Sequence, residues 1–171
     1  MTTQQILYSP GTPTKFAPSG LGDVLWTPQS TALANGRLSS VWDRGAGHLP
    51  LPYVWRATCR WVATPSVYDS WRLWIVTADA AADASQTDGG LTLGDANLTS
   101  ESELLASCRP LGAVVAIASD KLFVASGVVQ LTSRYLAVGG WNASATKALT
   151  ATAGDFSITF TPIPSNIEAP A

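Results

Sequence analysis

Apolar and polar residues alternate with a period of two over residues 53–63, which is the pattern of a pleated strand with one buried face. Residues 71–78 carry apolar side chains on both faces, which indicates a strand covered on both sides. Between them, Pro65 and Asp69 favour a turn. The pattern predicts that these two strands pair as a β-hairpin at the centre of a sandwich core.

A second hairpin is predicted from the β-branched runs at 111–117 and 122–131, because only four residues join them. Gly139-Gly140 interrupts a later strand and predicts a bulge or a close backbone approach there. Residues 79–108 are predicted to be an acidic surface excursion with about one helical turn at 100–106. Further strand patterns occupy residues 23–26, 37–42, 134–141 and 155–161.

These elements predict an all-β fold: an antiparallel β-sandwich that is jelly-roll-like or another Greek key. No long amphipathic helix is present in the pattern to connect parallel strands. The predicted organisation is an extended N-terminal arm at 1–21, a β-sandwich domain at 22–162 and a short C-terminal tail at 163–171.

The predicted arm is rich in proline and has few apolar residues. Two interpretations stay open for it: a frayed terminus, or a strap whose aromatic residues anchor on a neighbouring subunit. The apolar residues that would anchor such a strap are Ile6, Leu7, Tyr8 and Phe16.

Charged residues make up only 13% of the chain, about half the usual share. We therefore expect part of the surface to be covered by copies of the chain or by a partner protein. A net charge of −2 without clusters of Lys or Arg argues against direct binding to nucleic acid or to an anionic membrane. No run of about 20 apolar residues predicts a membrane span, and we expect assembly in a cytoplasm.

The sequence contains no G-x-S-x-G nucleophile elbow, no H-E-x-x-H metal motif, no G-x-x-x-x-G-K-[ST] phosphate loop and no dinucleotide-binding fingerprint. We therefore expect no enzyme and no cofactor or metal. His48 is the single histidine and is interpreted as a loop residue. A disulfide between Cys59 and Cys108 stays open, but a reducing compartment favours free thiols. A pair of acids drawn from distant strands stays open, and the candidates beside turns are Asp43, Asp69 and Asp155.

Three tryptophans, Trp26, Trp42 and Trp141, lie at the ends of predicted strands beside loops. Exposed aromatic rings at such places bind partners or stack on sugar rings. These residues are therefore the candidates for a binding surface.

Three segments, at 41–57, 125–150 and 154–164, resemble small virion structural proteins of tailed bacteriophages, of the capsid decoration or cement type. The likeness is carried by an R-Y-x-x-x-x-x-W-N strand and a terminal F-x-x-x-x-x-P-x-P strand. In this chain these are Arg134, Tyr135, Trp141 and Asn142, followed by Phe156, Pro162 and Pro164.

The resemblance implies a non-enzymatic protein that binds the major capsid protein on the capsid exterior and stabilises the shell, as a homotrimer. It would then be located on the capsid surface of the virion. The alternative is a tail- or fibre-associated adhesin, in which the loop tryptophans form a carbohydrate-binding groove.

Overall fold

The computed structural model describes residues 11–46, 50–78, 94–98, 100–117 and 121–163. This part of the chain folds into strands that form two sheets, with one short α-helix against the second sheet. The elements are β1 (Thr14–Ala17), β2 (Val24–Leu25), β3 (Gly36–Leu38), β4 (Trp42–Asp43), β5 (Leu51–Cys59), β6 (Ser70–Ala78), β7 (Asn97–Leu98), α1 (Glu101–Ser107), β8 (Arg109–Val115), β9 (Phe123–Leu131), β10 (Tyr135–Asn142) and β11 (Ser157–Pro162).

The first sheet, sheet A, has the order β2-β1-β11-β5-β9, and sheet B has the order β7-β3-β10-β6-β8 with β4 also paired to β10. All pairings are antiparallel except the short one between β1 and β2. The prediction of an all-β, jelly-roll-like antiparallel sandwich is therefore confirmed.

Both predicted hairpins are wrong in their pairing, although their strands are where the pattern placed them. β5 pairs with β11 and β9 in sheet A, whereas β6 pairs with β10 and β8 in sheet B. Likewise β8 lies in sheet B and β9 in sheet A. Each connection crosses from one sheet to the other, so consecutive strands face each other across the core instead of exchanging hydrogen bonds.

The inner core fills the space between the sheets. Sheet A contributes Trp55 and Phe160, and sheet B contributes Trp71 and Leu73; all are at most 4% exposed. The predicted alternation is confirmed in β5, where Tyr53 to Cys59 point inward at every second position. Burial of several aromatic side chains, each removing about 150–250 Å² from water, makes this layer the main source of stability.

A second apolar cluster, the outer cluster, covers the side of sheet B that faces away from sheet A. It exists because β6 and β10 are apolar on both faces, as predicted for β6. The helix α1 begins after Ser100, whose hydroxyl accepts from the backbone N–H of Ser102, and it confirms the predicted helical turn. The members of the outer cluster are Leu38, Trp74, Val76, Leu98, Leu104, Ala137 and Trp141.

Side chains approach Gly139 and Gly140 closely on opposite faces of β10. A Cβ on Gly140 would overlap Cζ2 of Trp71, and one on Gly139 would lie 2.6 Å from Cδ2 of Leu104. β10 pairs with β6 in continuous register through both glycines, so the predicted alternative of a bulge is wrong here and close approach is the reason for glycine.

Part of the predicted arm belongs to the sandwich. Four of its residues, Thr14–Ala17, form β1, which pairs with β11. The predicted strand at 37–42 is two short strands, β3 and β4. Residues 1–10 of the predicted arm and 164–171 of the predicted tail lie outside the described residues.

Candidate interaction surfaces

The aromatic residues predicted to form a binding surface are mostly in the core. Phe16 and Trp26 are each 1% exposed and Trp141 is 6% exposed. This corrects the expectation that they are accessible: β1 turns Phe16 onto Phe160, Trp26 packs against Trp71, and Trp141 belongs to the outer cluster. Buried rings have no face left for a partner.

Among the candidate aromatic residues that the structure describes, Trp42 is the one that is only partly buried. It packs edge to face on Phe16 and Tyr53, with centroid distances of 5.9 Å, and stacks on Phe160 at 6.1 Å. The guanidinium of Arg44 lies 6.0 Å from its centroid. Its role in binding stays a prediction, and Ile6, Leu7 and Tyr8 lie outside the described residues.

The side of sheet A that faces away from sheet B, here called the bare face, has no covering element among the described residues. Cross-strand register places Val54 between Val128 and Thr161, and Arg56 between Ser126 and Thr159. Thr58 lies between Val124 and Ser157 in the same way. Of these nine outward positions on β11, β5 and β9, one is charged, and Val54, Val124 and Val128 are 40%, 48% and 66% exposed.

A second apolar surface, here called the loop end, lies where the β5–β6 and β8–β9 connections leave the sandwich. Tyr68 is 82% exposed at a φ of 74°, a left-handed conformation that is strained for a bulky residue. Its backbone N–H donates to the carbonyl of Ala116 at 3.3 Å. Other exposed apolar residues at this end are Val62, Val67, Ile117 and Leu122.

Asp69 holds the loop end in place. Its carboxylate accepts from the backbone N–H groups of Ser66 and Ala145 and from the hydroxyl of Thr146, at 2.9 to 3.2 Å. Burial acts to raise the pKa of Asp69, but these hydrogen bonds and one from Ser144 outweigh it and lower the pKa. The carboxylate is therefore an ionised hydrogen-bond acceptor that joins the β5–β6 connection to the segment that follows β10.

The acids considered as candidates for a catalytic pair, Asp43, Asp69 and Asp155, all make structural contacts. Asp43 binds both Nε and Nη2 of Arg134 at 2.8 and 2.9 Å, and Asp155 accepts from Thr150 at 2.9 Å. Within the described ranges, no group of three or more His, Cys, Asp or Glu residues is arranged to hold a metal ion. His48 lies outside those ranges, and the absence of enzymatic activity stays a prediction.

The acidic stretch is only partly described, at 94–98 and from residue 100 onward. There, two of its acids meet cations from other strands: Asp95 binds Arg37 at 2.9 Å and Glu101 binds Arg72 at 2.7 Å. These acids are thus partners in ion pairs, whereas the sequence predicted only a solvated acidic face.

The two cysteines are free thiols, as predicted. Cys59 is buried in the inner core, and Cys108 packs at the margin of the outer cluster on the other side of sheet B. Burial raises the pKa of Cys108 to about 11 and that of Cys59 well above its usual value.

Sequence reasoning missed the bare face as a candidate site. The signal was present in the alternation itself, because the positions opposite Tyr53, Trp55 and Ala57 are Val54, Arg56 and Thr58, and only one of these is charged. The pattern does not show which strand lies beside β5. Val128 lies next to Val54 because β5 pairs with β9 in this register, and the sequence alone does not give that pairing.

Within the described residues, no helix combines the length and the apolar character that crossing a bilayer requires.

Comparisons with known proteins find little that is similar. No protein-family model matches the chain, and no curated protein sequence matches it. Among solved structures, the crystal structure of murine APRIL at pH 8.0 is similar over 88% of this chain and 98% of that chain, with 9% sequence identity and a TM-score of 0.41. A likeness at this level carries no argument about what this chain binds.

Proposed function

We propose that this protein is a non-enzymatic structural component of a tailed-bacteriophage virion, which binds the capsid exterior as a decoration or cement protein. Copies would associate as a trimer and contact the major capsid protein after assembly in the host cytoplasm. The family resemblance in residues 41–57, 125–150 and 154–164 supports this role.

The observation that carries the proposal is the bare face. A protein whose solubility depends on its own surface normally mixes charges of both signs over it. Here three partly exposed valines and a run of Ser and Thr side chains surround Arg56, and Lys15 of β1 is the next charge along the same cross-strand row. Such a face loses little by being dehydrated, because few charged groups must give up water.

The role also makes physical sense for a rigid sandwich. A protein that binds the assembled shell but not its free subunits stabilises the shell by mass action. Many copies that each bury a modest area add up to a large collective effect on one capsid. A rigid body with a preformed face loses little conformational entropy when it docks.

The adhesin alternative loses its expected anchors. Trp26 and Trp141 are buried, so a sugar-stacking groove built on these rings does not exist in the folded chain. Trp42 alone stays partly accessible, and its ring already contacts three aromatic neighbours.

The test is the mass of the purified full chain in sedimentation velocity, alone and with DNA-free capsids of the phage that encodes it. We expect a trimer that co-sediments with capsids. Val128→Lys places a charge on the bare face and should weaken self-association or capsid binding by about tenfold or more, because that charge must be dehydrated.

The matched control is Val62→Lys at the loop end, where the valine is 57% exposed and thus similar to Val128. This variant should associate and bind as the unchanged chain does. A monomer that ignores capsids contradicts the proposed function, and equal effects of the two substitutions contradict the assignment of the bare face.

A further inference from the structure

β9 lies at the end of sheet A, so among the described residues only one of its two edges is paired. Strands at sheet ends expose backbone N–H and C=O groups, and proteins normally protect them with charged residues, proline, bulges or short length. The end strands β2, β7 and β8 have such protection. β2 and β7 have two residues each, and β8 contains Arg109, Pro110 and a register shift where it pairs with β6.

The edge of β9 has none of these protections along most of its length. Its nine residues include no charged residue and no proline, and its register with β5 is continuous over nine pairs. Val124 and Val128 are 48% and 66% exposed. A long, uncharged and unbroken edge is a template for another strand, so we expect this edge to be covered in the assembled protein.

Two hydrogen bonds show in which direction the backbone groups of β9 point. Pro52 of β5 lies opposite Gln130, and its carbonyl accepts from the N–H of Ile163 at 2.9 Å, on the side of β11. Proline has no N–H, so Gln130 makes no ladder hydrogen bond to β5. Its carbonyl points the other way and accepts from the guanidinium of Arg109 at 2.8 Å.

Backbone direction alternates along a strand, so the N–H and C=O groups of Val124, Ser126 and Val128 point away from β5 as those of Gln130 do. No other strand pairs with them in the part of the chain that the structure describes. This stretch, residues 124–128, is here called the open edge. It ends before Gln130, where Arg109 occupies the carbonyl.

The open edge is complementary to itself. If two copies of β9 lie antiparallel with Ser126 opposite the second copy's Ser126, Val124 of each copy lies opposite Val128 of the other. This register pairs all six backbone groups and makes Val–Val and Ser–Ser cross-strand pairs. No like charges meet within the open edge of two copies, whereas a charged peptide would find no opposite charge there.

From the unprotected edge, the direction of its backbone groups and its self-complementary residues, we propose that β9 pairs with β9 of a second copy across a two-fold axis at Ser126. The two copies of sheet A then form one continuous sheet. Such a short pairing buries much less than the roughly 1,200 Å² of a stable interface, so its dissociation constant should be weak, on the order of 100 µM. The contact does not depend on the proposed capsid role, and it would join either two monomers or two of the proposed trimers.

Disulfide trapping tests the pairing. Opposite residues in a hydrogen-bonded antiparallel pair have Cα atoms about 5.5 Å apart, which is within the reach of a disulfide. Oxidation of the full chain carrying Ser126→Cys should therefore give a covalent dimer on non-reducing electrophoresis. The unchanged chain reports what Cys59 and Cys108 contribute, and we expect it to give at least about tenfold less dimer, because burial raises the pKa of both thiols.

Val124→Cys is the matched control, because it lies on the same strand and the same face. In the proposed register the two copies of residue 124 are roughly 14 Å apart, beyond the reach of a disulfide. Val124→Cys alone should stay unlinked, and mixing it with Val128→Cys should give a covalent dimer, because these positions are opposite. No linking of Ser126→Cys, or equal linking of Ser126→Cys and Val124→Cys, overturns the proposal.

A further variant separates this contact from the proposed function. The N–H of Ser126 points away from β5, so Ser126→Pro removes a donor from the open edge without removing one from sheet A. In sedimentation velocity at increasing concentration, the mass of the unchanged chain should double, from the monomer or from the trimer, whereas that of Ser126→Pro should stay constant. Doubling that persists in folded Ser126→Pro contradicts the edge pairing. Capsid binding by the unchanged chain reports on the proposed function alone.

Discussion

The two sheets of this sandwich share one core but differ in what lies on their outer sides. Sheet B is covered by its own chain, because β6 and β10 have apolar side chains on both faces and α1 packs Leu104 against them. Sheet A alternates strictly, so β5 and β9 keep Val54 and Val128 at the surface. The comparison shows that the residues on the outward side of a strand, and not those facing the core, determine whether a sheet must be covered by another element.

The outer cluster, including Leu104 of α1, should contribute much more to the free energy of unfolding than the bare face does. Leu104 is fully buried, so Leu104→Ala should lower the free energy of unfolding by about 2–5 kcal/mol, since it leaves a cavity between α1 and sheet B. Val128→Ala, at 66% exposure, should change it by about 0.5 kcal/mol or less. Urea unfolding followed by tryptophan fluorescence measures both, and comparable losses would erase the distinction between the two faces.

Adjacent glycines in β10 probe how tightly each side of sheet B is packed. Gly140→Ala pushes a methyl group onto the rigid ring of Trp71 in the inner core and should destabilise the protein by about 1–3 kcal/mol or more. Gly139→Ala meets the end of the Leu104 side chain, which can rotate, and should destabilise it by about 1 kcal/mol or less. Thermal unfolding of both variants tests this order, and the reverse order would mean that the outer cluster is the more rigid layer.

The two thiols report how easily each layer opens. Cys108 lies at the margin of the outer cluster, beside a seven-residue helix, whereas Cys59 faces the inner core. At pH 8 we expect a disulfide reagent to modify Cys108 about tenfold or more faster than Cys59, because short helices open locally before a core does. Both should be slower than in urea, since burial raises both pKa values. Single Cys→Ser variants assign the rates, and equal rates would show that the cover opens only with the whole fold.

Acid should weaken the edge of sheet B at β3 and β7 before it affects the bare face. Burial acts to raise the pKa of Asp95, but hydrogen bonds from Arg37 and Thr27, with the charge of Arg37, lower it. A folded-state pKa below the unfolded value of about 3.9 means that the stabilisation is complete above that pH and is lost as the pH falls through the folded pKa. We expect the unchanged chain to lose more stability than Asp95→Asn between pH 5 and pH 2, because only the unchanged chain has this carboxylate to protonate.

Denaturant midpoints over this pH range provide the measurement. Both chains keep Asp69, whose pKa is also lowered, so its contribution cancels in the difference. Parallel loss of stability in both chains would show that the Arg37–Asp95 ion pair adds nothing to the edge of sheet B.

Sequence patterns located the strands because alternation is a local property. The period of two at Tyr53–Cys59 and at Phe156, Ile158 and Phe160 was sufficient to assign both strands and their inward faces. Pairing is not local: a connection between β5 and β6 looks the same in sequence whether it closes a hairpin or crosses to the other sheet. The predicted hairpins were wrong for this reason.

The candidate site was harder to predict because exposure depends on neighbours that are distant in sequence. Trp26 and Trp141 end or follow strands, which favoured accessible rings, but Trp71 and the outer cluster bury them. Apolar residues on both faces of β10 were the available signal for Trp141. Nothing in the pattern indicated that β9 would lie at the end of sheet A, because strand order is not a local property.

The position of β11 has a consequence for how the protein is made. β11 lies between β1 and β5, so the first strands of sheet A cannot join until residues 157–162 have left the ribosome. The nascent chain therefore holds β1, and the edge of β5 that meets β11, without their partner until the end of synthesis, and closure of contacts this far apart in sequence is slow, on the order of milliseconds to seconds. Protection by chaperones during synthesis would matter more to the yield of this protein than its final stability.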